Sequence, residues 1–296
     1  MSREFTERQS TTRCQIVEST DAMRRWRQSI EGTGETLGLV PTMGALHEGH
    51  LTLIRRARTQ CGRVAVSIFV NPLQFGPNED FDKYPRTFER DVQLCEEAGV
   101  DVIFHPSVED LYAHPAQALT TTVVPPSTLS DCLDGAFRPG FFTGVATVVS
   151  KLFAIVRADS AYFGEKDYQQ LQVVKQMVAD LSIPIEIVGC PTVRQSDGLA
   201  LSSRNIYLSE EQRLLAPVLQ TVLRQLIDAV EKGSQVSAAL AAGRQRLRST
   251  AGVELQYLEL CHADSLKPLD RAHRPMVALV AAKLGSVRLI DNIVAR

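Results

Sequence analysis

The chain has 296 residues, of which 44% are hydrophobic and 22% charged, and its formal net charge is −2. This length accommodates two domains with a sizeable core, and the near-neutral charge argues against nucleic acid or an anionic membrane as a partner. No apolar run reaches the roughly 18 residues that span a bilayer, so we expect no membrane partner.

The N-terminus and the cysteines indicate a cellular location. Residues 1–13 contain Glu4 and Glu7 and no apolar signal core, so they predict a disordered lead-in rather than a targeting peptide. The six cysteines include no C-x-x-C pair. This usage predicts reduced thiols in a cytoplasmic protein, with neither a zinc site nor a disulfide framework.

Short apolar runs alternate with helical stretches in residues 14–190. Thr20 has the position of an N-cap for a first helix, and a second helix opens in PTMGALHEGH and runs through Arg58. In chain order, strands are predicted over 36–40, 63–70, 101–105, 119–124, 160–164 and 183–189, and further helices over 87–98, 143–157 and 167–181. This alternation is typical of an α/β domain, with helices on both faces of a mostly parallel sheet.

A different pattern follows residue 190. A polar loop leads to two long helical patterns, over 209–231 and 234–249, and then to three β-rich runs over 253–261, 275–284 and 286–293. This order predicts a smaller α+β domain over residues 191–296.

Three polar segments each follow a predicted strand directly: PTMGALHEGH (41–50), NPLQFG (71–76) and GEKD (164–167). Ligands of open parallel sheets bind outside the carboxyl ends of the strands. We therefore expect these segments to meet at one edge of the sheet and to form a site there.

His47 and His50 are three positions apart at a helix start, so they share one helix face. The free N–H groups and dipole of a helix N-terminus favour anions, and Gly44 and Gly49 permit close approach to the backbone. These features predict a nucleotide phosphate site with donor histidines. Two alternatives remain: capping or surface histidines, and a metal site, although no third ligand or i, i+4 spacing is present.

Two further segments suit phosphate binding. Lys166 could neutralise triphosphate oxygens, and Asp167 could cap the next helix or contact the nucleotide or its metal. Ser202, Ser203 and Arg204 supply hydroxyls and a guanidinium that can hold two oxygens at once. The alternatives are a solvated turn with an ion pair, and a Ser-rich helix cap.

Amide side chains suit a small substrate with hydroxyl and carboxylate groups. Asn71, Gln74 and Gln170 are candidates for such contacts, and Arg138 could counter a carboxylate. Satisfied loop amides, and an arginine whose stem covers apolar surface, are the alternatives.

Taken together and in order, VPTMGALHEGH, SIFVNPLQF, DKYPRT, FGEKDYQQL, GLALSSRN and RLIDNI resemble the pantothenate synthetase family of the nucleotidyltransferase superfamily. The resemblance runs from about residue 15 to the C-terminus. It implies a Rossmann-like ATP- and pantoate-binding domain over 14–190, a C-terminal lid domain over 191–296 and a homodimer. It also implies ATP-dependent joining of pantoate to β-alanine through pantoyl-adenylate, with Mg²⁺ on the triphosphate.

By motif, the resemblance implies an ATP site formed by Met43, Gly44, Ala45, Leu46, His47, Glu48, Gly49, His50, Gly164, Glu165, Lys166, Asp167, Val193, Leu201, Ser202, Ser203 and Arg204. His50 matches a proton donor, and Gln74 and Gln170 match pantoate-binding glutamines. Phe141 departs from the family pattern, which often has histidine there. No residue is assigned as a metal ligand.

We expect the phosphate-binding side chains to act by positioning and fixed positive charge, and residues 194–204 to cover the reactive adenylate. Two rival functions are another adenylyl- or cytidylyltransferase on the same H-x-G-H scaffold and a nonenzymatic nucleotide-binding module. No G-x-G-x-x-G follows the first strand, which argues against a dinucleotide-dependent oxidoreductase.

Overall fold

The computed structural model describes residues 14–76, 81–112 and 121–296; the predicted lead-in, residues 1–13, lies outside them. Two sheets and the helices around them make up the fold. The elements in chain order are β1 (Gln15–Val17), α1 (Thr20–Ile30), β2 (Leu37–Thr42), α2 (Glu48–Gln60), β3 (Arg63–Ile68), α3 (Phe88–Glu97), β4 (Val102–Phe104), α4 (Val108–Tyr112), α5 (Ser127–Ser130), α6 (Asp134–Phe137), α7 (Phe141–Val156), β5 (Ser160–Gly164), α8 (Tyr168–Asp180), β6 (Glu186–Cys190), α9 (Glu210–Leu215), α10 (Val218–Glu231), α11 (Val236–Ser249), β7 (Val253–His262), β8 (Met276–Leu284) and β9 (Val287–Ala295).

The first sheet has the order β1-β4-β3-β2-β5-β6, and its strand pairs are parallel. Successive residues of a strand point to opposite faces of a sheet, and both faces of this sheet are buried. Leu39 packs in one apolar cluster, with α7 and α8, and Val40 packs in another, with α2. The Rossmann-like α/β prediction, with helices on both faces, is confirmed.

The strand order reverses between β2 and β5, which pair directly through Gly38 and Leu39. The chain moves outward in one direction from β2 and in the other direction from β5. Such a switch point leaves a crevice at the carboxyl ends of the two strands. The turns that follow Thr42 and Gly164 therefore open onto the same crevice.

The second sheet, β7-β8-β9, is antiparallel and is covered on one face by α10 and α11. Leu258 and Val280 face those helices, whereas Tyr257 and Leu279 join the same core as the α7 residues of the first sheet. The predicted α+β character of the C-terminal part is confirmed. A division of the chain at residue 190 remains a prediction.

Some sequence predictions about individual elements are wrong. Ser19, not Thr20, caps α1, since its hydroxyl accepts from Ala22 N at 3.1 Å. The helix predicted over 209–231 is interrupted at Pro217, which lacks the N–H that a continuous helix requires. Of the strand predicted over 119–124, residues 121–124 form no strand, and residues 119 and 120 lie outside the described residues.

The strand β1 was not predicted, because three residues are too short for a clear alternation. All six cysteines are free thiols in the structure. Within the described ranges, no helix has the length and hydropathy needed to cross a membrane.

Candidate active site

A cleft of about 1060 Å³ opens at the switch point between β2 and β5. It brings together side chains from all the polar segments that the sequence singled out. The predicted site residues that line it are Met43, His47, Gly49, His50, Gln74, Arg138, Gly164, Lys166, Asp167, Gln170, Val193, Leu201, Ser202, Ser203 and Arg204.

Six predicted residues are not part of the cleft lining: Gly44, Ala45, Leu46, Glu48, Glu165 and Asn71. Glu48 instead pairs with Arg55 on the surface, and Glu165 pairs with Arg296. For Gly44, Ala45, Leu46 and Asn71, the structure indicates supporting positions behind the wall of the cleft.

The turn after β2 is held from behind by Asp91, whose side chain is buried with 1% exposure. Its carboxylate accepts hydrogen bonds from Ala45 N and Leu46 N, both at 2.8 Å. Gly44 has φ +79°, and a Cβ there would lie 3.0 Å from this carboxylate. The backbone N–H groups of Ala45 and Leu46 therefore donate to Asp91. The sequence analysis did not predict this contact, because Asp91 lies 46 positions after Ala45 in the chain.

The two histidines form the start of α2. His47 is the N-cap, and its Nδ1 accepts from Gly49 N at 3.1 Å, while His50 Nδ1 accepts from His47 N at 3.3 Å. A Cβ on Gly49 would lie 2.8 Å from Cε1 of His47, so the absence of a side chain there makes room for the ring. The capping alternative thus holds for Nδ1, while both rings still line the cleft.

The environment keeps both imidazoles neutral. Burial, followed by the nearby charge of His47, lowers the pKa of His50 to about 3; Asp167 opposes this shift and Lys166 adds to it. Burial, and then the charge of Lys166, also lower the pKa of His47. Since each Nδ1 accepts a hydrogen bond, each Nε2 carries the hydrogen and can donate it.

Lys166 lies in the 3-10 turn between β5 and α8, with its ammonium 3.5 Å from the carboxylate of Asp167. Its side chain is 19% exposed, so the charge faces the cleft rather than bulk solvent. Lys166, His47 and His50 line the same cleft, and the positive charge of Lys166 contributes to lowering the pKa of both imidazoles. The turns that follow β2 and β5 therefore contribute side chains to the same cleft.

The loop after β6 starts as a tight hairpin, in which Gln195 N donates to Leu199 O and Leu201 N donates to Val193 O. Arg194 anchors it with two hydrogen bonds to Asp291 of β9, at 2.7 and 2.9 Å. These contacts fix the base of the loop to the C-terminal sheet.

A 3-10 turn, Ser203–Tyr207, continues from the hairpin across the cleft. The hydroxyl of Ser202 caps this turn, and that of Ser203 donates to Ala45 O at 3.3 Å. On the far side, Tyr207 donates to Lys83 O at 2.6 Å, and the Arg204 guanidinium lies 5.8 Å from the ring centroid of Tyr84. The loop therefore bridges the β2 turn and the 81–86 segment.

A buried relay orients Gln74. Tyr112 donates to Asn71 Oδ1 at 2.7 Å, and Asn71 Nδ2 donates to Gln74 Oε1 at 2.9 Å. With its oxygen already accepting, Gln74 offers its NH2 group as a donor. Asn71 Nδ2 also contacts Gly144 O, and a Cβ on Gly144 would lie 2.2 Å from Leu73 O, so α7 packs directly on this turn.

Arg138 and Phe141 form another part of the wall. Arg138 donates to Gln74 O at 2.9 Å, and its guanidinium lies 3.6 Å from the centroid of the Phe141 ring. The phenylalanine at this position thus supports the arginine by a cation–π contact.

Comparison with known proteins identifies the family. A model of the pantoate-β-alanine ligase family matches residues 15–294. The bifunctional pantoate ligase/cytidylate kinase of Trichormus variabilis is 50% identical over 280 residues, which are 93% of this chain and 51% of that protein, so the chain spans about half the length of this curated relative.

Two solved structures are similar over nearly the whole chain. Pantothenate synthetase from Thermus thermophilus has 47% identity and a TM-score of 0.88, covering 94% of this chain and 98% of the other. The pantoate-β-alanine ligase of Francisella tularensis, complexed with "Beta-gamma ATP" and β-alanine, has 35% identity and a TM-score of 0.78, covering 95% and 97%. The chain belongs to the pantoate-β-alanine ligase family.

Proposed function

We propose that this chain condenses pantoate with β-alanine at the expense of ATP, through pantoyl-adenylate, and releases AMP and pyrophosphate. One observation carries the proposal: a single cleft at the switch point contains the histidine pair, Lys166 and the loop with Ser202 and Arg204. Family membership and the ligands named for the Francisella tularensis relative support it.

In the first step, a pantoate carboxylate oxygen attacks the α-phosphorus of ATP, and the bond from that phosphorus to its bridging oxygen breaks as pyrophosphate leaves. Negative charge develops on phosphate oxygens, so catalysis depends on positioning and fixed positive charge. Lys166 and Arg204 supply that charge. The serine hydroxyls and the Nε2–H groups of His47 and His50 supply neutral donors.

In the second step, the amine of β-alanine attacks the acyl carbon, the nitrogen loses a proton, and the bond from that carbon to the phosphate oxygen breaks. The NH2 group of Gln74 and the side chain of Gln170 are suited to hold the hydroxyl and carboxylate groups of pantoate. Neutral donors orient the carboxylate while leaving it nucleophilic.

Mg²⁺ is proposed to arrive with the triphosphate. No cluster of three or more His, Cys, Asp or Glu residues in the described parts of the chain could hold a metal. Mg²⁺ commonly uses one or two carboxylates together with substrate phosphates and waters, and Asp167 is the carboxylate beside Lys166. When bound, the ion neutralises phosphate charge.

Pantoate-dependent exchange of labelled pyrophosphate into ATP tests the first step without β-alanine. Exchange that requires pantoate is the expected result, and its absence from folded protein would contradict adenylation. A rival adenylyl- or cytidylyltransferase would leave the nucleotide on its product, whereas our proposal requires AMP release that depends on β-alanine. A homodimer and a cytoplasmic location also belong to the proposal; sedimentation equilibrium measures the former.

A further inference from the structure

Two polar residues interrupt the apolar pattern of β9 in its most buried part. Asp291 and Asn292 are 5% and 4% exposed, in the sequence VRLIDNIVA. Burial of a carboxylate and an amide is unfavourable unless both find hydrogen-bond partners. Their partners therefore indicate what the pair does.

Asn292 contacts the turn that carries Lys166. Its Nδ2 donates to Glu165 O at 2.8 Å and to Lys166 O at 2.9 Å, so both hydrogens of the amide have acceptors. The neighbouring Asp291 accepts from Arg194, and Arg194 also donates to Asn292 O at 2.9 Å. One dipeptide thus joins the Lys166 turn to the base of the 193–204 loop.

Asn292 does not line the cleft. Its amide is occupied by backbone oxygens, so an effect on bound nucleotide has to be transmitted by the residues it holds. The ammonium of Lys166 sits at the end of a flexible stem, and the backbone of the turn determines where that stem begins. A displacement of about 1 Å in a positioning group can lower a rate by about 100-fold.

We propose that Asn292 is a positioning residue for Lys166: it fixes the turn from which the ammonium reaches the nucleotide phosphates. The inference rests on the proposed function, because it assigns Asn292 an effect on the adenylation step. It goes further in making the last strand of the chain part of the machinery that aligns Lys166.

Asn292→Ser and Asn292→Asp test the proposal. Serine keeps at most one donor and no charge, whereas aspartate has the shape of asparagine but places an acceptor against two carbonyl oxygens. We expect pyrophosphate–ATP exchange at saturating ATP and pantoate to fall by at least about tenfold in Asn292→Ser, and further in Asn292→Asp. Wild-type exchange in folded Asn292→Ser would overturn the proposal.

Asp101→Asn is the matched control for stability. Asp101 accepts from Val64 N, Arg58 and Arg63 at the opposite edge of the sheet. The Asp101→Asn substitution should lower the melting temperature while leaving the rate of pyrophosphate–ATP exchange within about twofold of wild type. An equal loss of exchange in this control would reduce the Asn292 effect to stability and overturn the proposal.

A double-mutant cycle tests whether Asn292 affects exchange through Lys166. In a Lys166→Ala background, Asn292→Ser should change exchange by less than about twofold, because the group through which it acts is gone. Independent multiplication of the two effects would overturn the proposal. An inactive wild-type chain would instead contradict the proposed function.

A readout independent of activity uses His47, whose pKa is lowered by burial and then by the charge of Lys166. Asn292→Ser introduces no charge of its own. If it displaces the Lys166 ammonium from His47, the pKa of His47 should rise, as measured by NMR titration of the imidazole Cε1–H. An unchanged pKa would mean that Lys166 has not moved, and would overturn the proposal even if the chain were inactive.

Discussion

The imidazoles of His47 and His50 lie with their ring centroids 4.1 Å apart, and each Nδ1 accepts a hydrogen bond from a backbone N–H at the start of α2. The same rings therefore cap the helix and leave Nε2–H groups as donors. Helix capping and phosphate contact were alternatives in the sequence, and the geometry makes them compatible.

His50 should make stability depend on pH. Below about pH 6.5 the unfolded chain protonates this residue, whereas the folded chain does so only near its pKa of about 3. The free energy of unfolding therefore falls as pH decreases through that window. His50→Gln keeps an N3 side chain that can reach the backbone N–H of the N-cap but cannot titrate.

Urea unfolding of both proteins at pH 7 and pH 4.5 measures the effect. We expect wild type to lose about 2–3 kcal/mol more than His50→Gln over this interval, because the unfolded imidazole gains a proton that the folded one does not. The carboxylates titrate in both proteins, so their contribution cancels when the loss in His50→Gln is subtracted from the loss in wild type. Parallel losses in the two proteins would show that His50 does not carry the effect.

Lys166→Ala should lower pantoate-dependent pyrophosphate–ATP exchange by at least about 100-fold, because a preorganised donor to the developing phosphate charge is lost. The fold should persist, since the side chain lies at the cleft surface. Lys175→Ala, an exposed lysine on α8, is the matched control and should retain wild-type exchange. Wild-type exchange in Lys166→Ala would remove this ammonium from the mechanism.

Arg194→Met should destabilise the protein by about 3 kcal/mol, because it leaves the carboxylate of Asp291 buried without its cation. Arg213→Met is the comparison: its partner Asp197 is exposed, so the loss should stay below about 1 kcal/mol. Denaturant unfolding measures both. A loss at Arg194 no larger than that at Arg213 would contradict the anchoring role of the buried pair.

Ligand-induced protection should be concentrated in residues 202–207. The sequence predicted a cover over 194–204, but the hairpin 194–200 is already fixed by Arg194 and by backbone hydrogen bonds. The part that closes is expected to be the 3-10 turn that meets the 81–86 segment through Tyr207 and Lys83. Of the predicted cover, this expectation keeps residues 202–204 and adds residues 205–207 of the 3-10 turn.

Hydrogen exchange with and without ATP plus pantoate provides the measurement. Added protection in 202–207, with little change in 194–200, is the expected pattern. Unchanged exchange throughout the loop would rule out a cover that closes on the substrates.

The sequence was sufficient to predict which turns would meet. Strands and helices alternate clearly around β2 and β5, and the carboxyl ends of parallel strands share an edge, so His50 and Lys166 could be assigned to one cleft. Proline is also a local signal for the helix break at Pro217, although the apolar periodicity of 209–231 predicts one continuous helix. These features depend on local pattern, which a single sequence contains.

The residues that support the site were not predictable in the same way. Asp91 and Asn292 contact backbone atoms far away in the chain, and no short-range spacing encodes such contacts. One signal was present for Asn292: Asp291 and Asn292 interrupt the apolar run that follows Arg288 in β9, and buried polar side chains require specific partners. Asp91 lies in an amphipathic helix, where a carboxylate is ordinary.

Isotope transfer tests the central claim, that pantoate is activated by bonding its carboxylate to the α-phosphorus of ATP. Pantoate labelled with ¹⁸O in both carboxylate oxygens is incubated with ATP, β-alanine and the protein, and the products are analysed by mass spectrometry. The account predicts one labelled oxygen in AMP and one in the amide of pantothenate. Label in pyrophosphate or inorganic phosphate, or AMP without label, would contradict it.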